Sequence, residues 1–297
     1  KAVKNPVELE HIRDCYIKDS AVLTKFLFWM KENAGKVPMD ELSVAAKLDS
    51  MRAELPGFLD LSFPTISAYK ANAAMAHYSA DEENFSTIEA DGFYLVDSGG
   101  QYEGGTTDVT RTIALGPVTD EMKLHFTKVA CSMLRLADTK FLHGCTGRNL
   151  DIVAREPLWQ CGLDYKHGTG HGIGYILNVH EGPHSLRWQY RPELPETELE
   201  EGMIVSDEPG MYVQDSHGIR TENIVEIVNE EKNEYGQFMG FRHLTYVPVD
   251  LDAIDTQYME PSDLCRLNAY HRSVYEKLSP YFEGKELEML QKATRAV

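Results

Sequence analysis

The sequence lacks the features that mark nucleic-acid-binding proteins and disulfide-rich secreted proteins. Its 297 residues carry 47 acidic and 29 basic side chains, a net charge of -18, and no run rich in Lys or Arg. A nucleic-acid partner is therefore not expected, because such proteins usually present a basic face. The five cysteines are an odd number without C-x-x-C spacing. That pattern is typical of reduced thiols in an intracellular protein, and not of a disulfide framework or a thiolate zinc site.

Long apolar runs are also missing. No stretch approaches the roughly 20 apolar residues that a membrane span needs, and the polar start at Lys1 does not form a signal peptide. The chain does not open on an initiator Met. We therefore expect a cytoplasmic protein with no membrane partner, present as a fragment or a processed product from which upstream domains are absent.

Helical signals occur in both halves of the chain. Asn5 is a helix-capping residue, Pro6 occupies the first helical position and Glu8 lies in the first turn, so a helix is predicted to begin there. Apolar residues at helical spacing continue this pattern over 21–31. Further helices are predicted over residues 39–55, 119–137, 149–160, 261–278 and 284–296.

Short apolar and β-branched runs bounded by turn residues predict strands. They cover residues 63–66, 73–78, 93–96, 109–115, 203–212, 219–225 and 241–249. Helices followed by strands in each half suggest a duplicated α+β unit, although no direct sequence repeat supports it.

A glycine-rich turn between two predicted strands places two acidic residues near each other. If this hairpin is centred between Tyr102 and Glu103, then Asp97 lies directly opposite Asp108, with Cβ atoms roughly 5 Å apart. Ionised carboxylates at that distance need a cation between them, a shared proton or a large pKa shift.

A second hairpin has the same character. Centring it on Asp215 pairs Glu208 with Glu222. Residues 167–174 lie between the two hairpins in the sequence. They include four glycines and two histidines that are four positions apart, His167 and His171. So many glycines favour an irregular loop or a glycine-broken strand over a helix, and let the backbone approach a ligand closely.

Together these motifs supply two Asp, two Glu and one Gly-flanked His. Oxygen-rich donors with a single imidazole suit a pair of Mn²⁺, Co²⁺ or Zn²⁺ ions, and hydrolysis is the natural use of such a pair. Each acidic residue taken alone is more often a turn former or half of an ion pair. The conjunction of the motifs is what favours a metal site.

The order and neighbours of these motifs resemble the dinuclear metallopeptidases of the pita-bread fold, a family that includes methionine aminopeptidase, prolidase, creatinase and aminopeptidase P. Within it the chain is most similar to the aminopeptidase P group, through residues 71–78, 178–183 and 243–248. Ala73 stands where that group usually has Gly, and residues 185–201 depart from its pattern. The resemblance implies an α+β pita-bread fold with pseudo-symmetric halves and helices outside a curved antiparallel sheet, as one catalytic domain over residues 1–297.

The resemblance also implies a role for each site residue. Asp97 would bind one ion, Asp108 and Glu222 would bridge both, and His171 and Glu208 would complete the other. The implied substrate-site residues are His77, His167, His180, Tyr212 and Arg220. Glu208, His180 and His77 are the implied catalytic residues, with Glu208 shuttling a proton and the imidazoles stabilising an oxyanion. For each histidine the alternative is an ordinary polar loop residue.

The implied activity is removal of an N-terminal residue that precedes proline, by a hydroxide activated by two divalent ions, with Mn²⁺ preferred over Co²⁺ or Zn²⁺. Its substrates would be peptides with proline in second position, and the resemblance also allows a homodimer. Three alternatives stay open: a prolidase that cleaves Xaa-Pro dipeptides, a pita-bread domain that has lost catalysis and binds partners, and a purely structural acidic protein.

Overall fold

Helices lie on the outside of the computed structural model, which describes residues 1–193 and 196–297. The six α-helices are α1 Pro6–Asn33, α2 Glu41–Ala53, α3 Asp120–Ala137, α4 Gly147–Trp159, α5 Pro261–Leu278 and α6 Gly284–Ala293. The strands of the first half are β1 Phe58–Leu61, β2 Ile66–Tyr69, β3 Phe93–Ser98, β4 Gly100–Tyr102, β5 Gly105–Thr106 and β6 Val109–Ala114. Those of the second half are β7 Phe141–Leu142, β8 Gly170–His171, β9 Ser185–Leu186, β10 Ile204–Asp207, β11 Gly210–Val213, β12 His217–Arg220, β13 Asn223–Asn233 and β14 Gly236–His243.

The predicted helices are confirmed, most closely at their capped ends. Asn5 accepts hydrogen bonds from the first turn of α1, and Thr119 accepts one from Met122 at the start of α3. The two predicted helical stretches near the start of the chain are one 28-residue helix. Among helices of the described residues, none combines the length and apolar character that a bilayer span requires.

Two strand predictions are wrong, and a third ends too late. Of residues 63–66 only Ile66 belongs to a strand. The segment predicted as strand 73–78 begins as the 3-10 helix Lys70–Ala74 and continues as a turn. Its backbone packs against β12, where a Cβ on Gly218 would lie 1.7 Å from the Ala73 carbonyl oxygen. The last strand ends at His243, because the carbonyls of residues 247 and 248 accept hydrogen bonds from Arg111 and not from a neighbouring strand.

Both predicted hairpins are present and antiparallel. The register of the first hairpin differs from the predicted one. In the first hairpin Asp97 pairs with Thr110, so the turn is centred between Glu103 and Gly104 and the predicted pairing of Asp97 with Asp108 is wrong. The shift is two positions along the strand. Because side chains alternate with period two, an even shift leaves both carboxylates on the predicted face.

The second hairpin has the predicted register. Gly210 pairs with Arg220 on the β11–β12 ladder, and Asp207 pairs with Asn223 on the β10–β13 ladder. Both pairs are centred on Asp215, which has the positive φ of 58° that a tight turn requires. The prediction that Glu208 faces Glu222 is therefore confirmed by the ladders on both sides of it.

Helix α1 contributes to three of the five hydrophobic clusters formed by the described residues. Leu9 and Ile12 pack with β10 and β13, Leu23 and Phe26 pack under β3 and β6, and Phe28 packs near the closing helices. One helix thus covers the apolar surface of both halves.

A buried ion pair fixes α1 to α2. Arg52 donates to both carboxylate oxygens of Asp19, at 2.8 and 3.1 Å, and the Tyr102 hydroxyl also donates to Asp19. Both charged residues are almost completely buried. Removal of one partner would leave a buried charge uncompensated.

Asp19→Ala should lower the free energy of unfolding by about 3–5 kcal/mol. The matched control is Asp14→Ala on the same helix, whose carboxylate pairs with Lys18 at the surface and should cost no more than about 0.5 kcal/mol. Urea denaturation of both variants measures the difference. Similar losses in the two variants would contradict the importance of the buried pair.

A buried histidine, His271, should make the free energy of unfolding decrease at acidic pH. His271 on α5 is fully buried, and its Nε2 accepts a hydrogen bond from the Val249 backbone N–H. Burial, with a smaller contribution from Arg111, lowers the pKa of His271 to about 3. The unfolded chain therefore binds this proton more readily than the folded chain, so the stabilising effect is complete above about pH 6.5 and is lost as the pH falls towards 3.

For wild type we expect this histidine to contribute a loss of about 3 kcal/mol in unfolding free energy between pH 7 and pH 4. His271→Gln keeps an acceptor for Val249 but does not titrate, and its unfolding free energy should fall less steeply over the same range. Parallel pH profiles of the two proteins, measured by urea denaturation, would disprove this explanation.

Candidate metal centre

One cavity of about 600 Å³ brings together every side chain that the sequence singled out. They lie on separate elements: the two hairpins, the β8 region and two loops. These residues are His77, Asp97, Asp108, His167, His171, His180, Glu208, Tyr212, Arg220 and Glu222.

The first hairpin supplies two carboxylates at the bottom of the cavity. Asp97 is the penultimate residue of β3, and its Oδ2 accepts a hydrogen bond from Arg220 at 2.6 Å. Its other oxygen, Oδ1, is buried and has no hydrogen-bond partner among the described residues. Asp108 lies just before β6 and is 4 % exposed. An orphaned carboxylate oxygen beside a buried carboxylate is the arrangement that a cation would complete.

The imidazole of His171 points one nitrogen at these carboxylates. Its Nδ1–H donates to the carbonyl oxygen of Gly172 at 3.0 Å. Its Nε2 lies 3.4 Å from Asp108 Oδ2 and 3.4 Å from Glu208 Oε1. A Cβ on Gly170 would lie 1.8 Å from the Ser206 carbonyl oxygen. Only glycine there lets β8 approach β10 closely enough to present His171.

Ser206 connects two of the predicted ligands. Its hydroxyl donates to Glu208 Oε1 at 3.0 Å and accepts from the backbone N–H of His171 at 2.9 Å. None of the sequence motifs considered above includes this residue. Its position two residues before Glu208 in a strand, and therefore on the same face, was the available signal.

Thr110 connects Glu222 to Arg220. Its hydroxyl donates to Glu222 Oε2 at 2.7 Å and accepts from Arg220 Nε at 3.1 Å. Thr110 follows Asp108 by two residues and was also missed. One donor atom each of Asp108, His171 and Glu222 lies within 4.8 Å of the other two.

Arg220 is held by its neighbours. Its three guanidinium nitrogens donate to Thr110, to the Tyr212 hydroxyl at 2.9 Å and to Asp97 at 2.6 Å. Tyr212 in turn donates to His167 Nε2, 2.9 Å away, while His167 Nδ1 donates to the carbonyl oxygen of Gly168. This chain of hydrogen bonds fixes the side wall of the cavity.

The electrostatics of the ligand set favour bound positive charge. Burial, together with the neighbouring carboxylates, raises the pKa of Asp108 to about 6 and that of Glu222 well above its usual value. Burial lowers the pKa of His171, but the carboxylates of Asp108 and Glu208 outweigh it and raise the pKa to about 9. Crowded carboxylates that hold protons this tightly would bind divalent cations in exchange for those protons.

The other histidines lie on the wall above the carboxylates. The ring of His180 lies 4.1 Å from that of His171, centre to centre. Burial lowers the pKa of His180 and of His167, so both rings are neutral at neutral pH. His77 is exposed at the mouth. Neutral imidazoles can donate an N–H to a developing oxyanion without first losing a proton.

Comparison with known proteins gives consistent matches. The sequence model of metallopeptidase family M24 matches residues 10–229, and that of the C-terminal region of peptidase_M24 matches residues 237–297. Aminopeptidase P1 of Arabidopsis thaliana is 39% identical over 322 residues, which cover 100% of this chain and 50% of that protein. The chain spans about half the length of the curated relatives it matches.

Solved structures of an X-prolyl aminopeptidase and a prolidase are also similar to this chain. The X-prolyl aminopeptidase from Caenorhabditis elegans, described as a cytosolic enzyme with a di-nuclear active site, superposes with a TM-score of 0.94 at 35% identity, covering 100% of this chain and 49% of that one. Prolidase from Pyrococcus furiosus superposes with a TM-score of 0.67 at 29% identity, covering 82% of this chain and 65% of that one.

Proposed function

The chain belongs to metallopeptidase family M24 and has its α+β pita-bread fold, and from that premise we propose that residues 1–297 are the catalytic domain of a metal-dependent Xaa-Pro aminopeptidase. The observation that carries the proposal is the convergence of four carboxylates and one imidazole nitrogen in a single cavity. Relatives named aminopeptidase P and the C. elegans X-prolyl aminopeptidase support the substrate class. A cytoplasmic location follows by analogy with the latter enzyme, and a homodimer stays a prediction.

The donor set fits two divalent ions. Asp97 has a buried oxygen with no hydrogen-bond partner among the described residues, and one donor atom each of Asp108, His171 and Glu222 lies within 4.8 Å of the other two. Asp97, Asp108, His171, Glu208 and Glu222 would hold the ions, and oxygen-rich donors with one imidazole favour Mn²⁺, with Co²⁺ or Zn²⁺ as alternatives. When bound, such ions activate water and polarise the scissile carbonyl.

The protein's own groups handle protons and substrate. Glu208 carries a proton from the attacking water to the leaving nitrogen, and Ser206 holds one of its oxygens in place by a hydrogen bond. His180 and His77 donate to the oxygen that becomes negatively charged. His167, Tyr212 and Arg220 line the wall where the substrate binds.

The nearest alternative is a prolidase, and the structural similarity to the P. furiosus enzyme favours keeping it. The two activities differ in substrate length. Purified protein supplied with Mn²⁺, Co²⁺ or Zn²⁺ should cleave Xaa-Pro-Xaa tripeptides after their first residue faster than Xaa-Pro dipeptides or Met-Ala-Xaa peptides. Product analysis by mass spectrometry measures the ratio. Preference for the dipeptide would favour the prolidase, and no cleavage with any metal would contradict an enzymatic role.

Thr110→Val should weaken metal binding, because Glu222 then loses the hydrogen bond that orients one of its oxygens. Loss of such a supporting contact typically costs about 10- to 100-fold in metal affinity. The control is Thr112→Val on the same strand, since the Thr112 hydroxyl forms its hydrogen bonds to the described residues with the Arg220 backbone and not with a proposed metal ligand. Competition with a chelator gives the dissociation constants. An unchanged constant in Thr110→Val would show that Glu222 does not need this contact.

A further inference from the structure

Two guanidinium groups line the cavity among the described residues, and one of them has no partner there. Each of the three guanidinium nitrogens of Arg220 donates a hydrogen bond to a neighbouring side chain. Arg187 makes no ion pair within residues 1–193 and 196–297, and its Nε is buried without a hydrogen-bond acceptor. Of the two guanidinium groups, Arg187 is therefore the one that the described residues leave available to a ligand.

The position of Arg187 is fixed relative to the metal centre. It follows β9, which pairs with β8, so that Ser185 lies opposite His171. A Cβ on Gly168 would lie 3.1 Å from Arg187 Nη2. The guanidinium therefore lies over Gly168, beside His167, where the missing side chain leaves room for it.

The surroundings of Arg187 make its positive charge unfavourable unless an anion binds to it. The residue is half-buried, and burial lowers the pKa of its guanidinium, as does the nearby charge of Arg191. A partly desolvated guanidinium with an unsatisfied N–H is costly unless an anion binds it. Its planar array of donors matches a carboxylate in two-point geometry.

We propose that Arg187 binds a carboxylate of the peptide substrate on the leaving-group side of the cleaved bond, a specificity contact that rests on the proposed function. The cavity carries four carboxylates at its base and the guanidinium on its wall. This polarity directs the cationic amino terminus of a peptide to the base and its anionic part to Arg187. The carboxylate is the C-terminus of a short peptide or an acidic side chain after the proline.

Three peptides separate these two sources: Ala-Pro-Ala, Ala-Pro-Ala-amide and Ala-Pro-Glu-amide. For metal-supplied wild type, kcat/KM should be at least about 10-fold higher for a peptide that offers the carboxylate than for Ala-Pro-Ala-amide. A preference for Ala-Pro-Ala identifies the C-terminus, and a preference for Ala-Pro-Glu-amide identifies the side chain. The difference should lie mainly in KM, because the contact is remote from the reacting bond.

Arg187→Gln should remove this preference, and Arg187→Lys should retain part of it because the charge remains. The matched control is Arg191→Gln, which removes a neighbouring exposed charge that does not line the cavity. It should keep the wild-type ratio. Loss of the preference in both Gln variants would indicate a general field effect and overturn the specific contact.

Equal cleavage of all three peptides by wild type would overturn the role of Arg187 while leaving the proposed aminopeptidase intact. If wild type cleaves none of them, the proposed function fails, and calorimetric dissociation constants of the same peptides decide the inference separately. Tighter binding of a carboxylate peptide, lost in Arg187→Gln, would support it. Equal binding of the acid and amide forms would overturn it.

Discussion

Asp108→Asn should reduce bound metal from two divalent ions per chain to one or none, and should lower kcat/KM on the order of 10³-fold. The proposed bridging carboxylate offsets the repulsion between two cations, which a neutral amide cannot do. Several kcal/mol of transition-state stabilisation depend on those ions. Without metal the same variant should unfold at a higher temperature than wild type, because one of the crowded buried negative charges is removed.

Metal analysis after gel filtration and thermal denaturation in chelator measure the two opposite effects. Asp60→Asn makes the same change on an exposed residue of β1 and should alter neither. Two-ion occupancy in Asp108→Asn would rule out the bridging assignment.

His180→Ala should keep both ions and the fold but lower kcat and kcat/KM together, by about 10²-fold or more. The ring lies against His171 and makes no hydrogen bond to a carboxylate of the described residues, and it is neutral because burial lowers its pKa. A neutral imidazole in that position contributes mainly when charge develops on the substrate oxygen. Steady-state kinetics with a tripeptide, together with metal content, test this.

The comparison variant is His143→Ala, which removes an exposed imidazole that pairs with Glu200 away from the cavity. Its kinetics should match wild type. Wild-type turnover in His180→Ala as well would make that histidine an ordinary loop residue.

The sequence could predict that the four carboxylates face one cavity, because the side-chain parity of a hairpin survives a small error in its turn. Glycines occur on both sides of the first turn, so the sequence does not specify the centre of the turn. The predicted centre, between Tyr102 and Glu103, is one residue away from the observed one. Asp97 and Asp108 still share a face, because moving the centre by one shifts the pairing by two. In the second hairpin, Asp215 marked the turn and the register followed.

Contacts made between distant segments could not be predicted. The stretch after Lys70 has a strand-like composition, yet close packing against Gly218 forces it into a 3-10 helix and a turn. Likewise, the resemblance implied Arg220 as a substrate-site residue, and only the structure shows that its three guanidinium nitrogens are occupied, while the buried Nε of Arg187 has no hydrogen-bond partner among the described residues. Which charged group stays unpaired is a property of the assembled cavity.

Helix α1 has a consequence for how the protein unfolds. At about 42 Å long, it supplies side chains to hydrophobic clusters in both halves. Neither half can therefore lose its structure alone without exposing apolar side chains of this helix to water. Amides in the middle of α1 should accordingly exchange with solvent only through global unfolding, and the two halves of the chain should not melt as independent units.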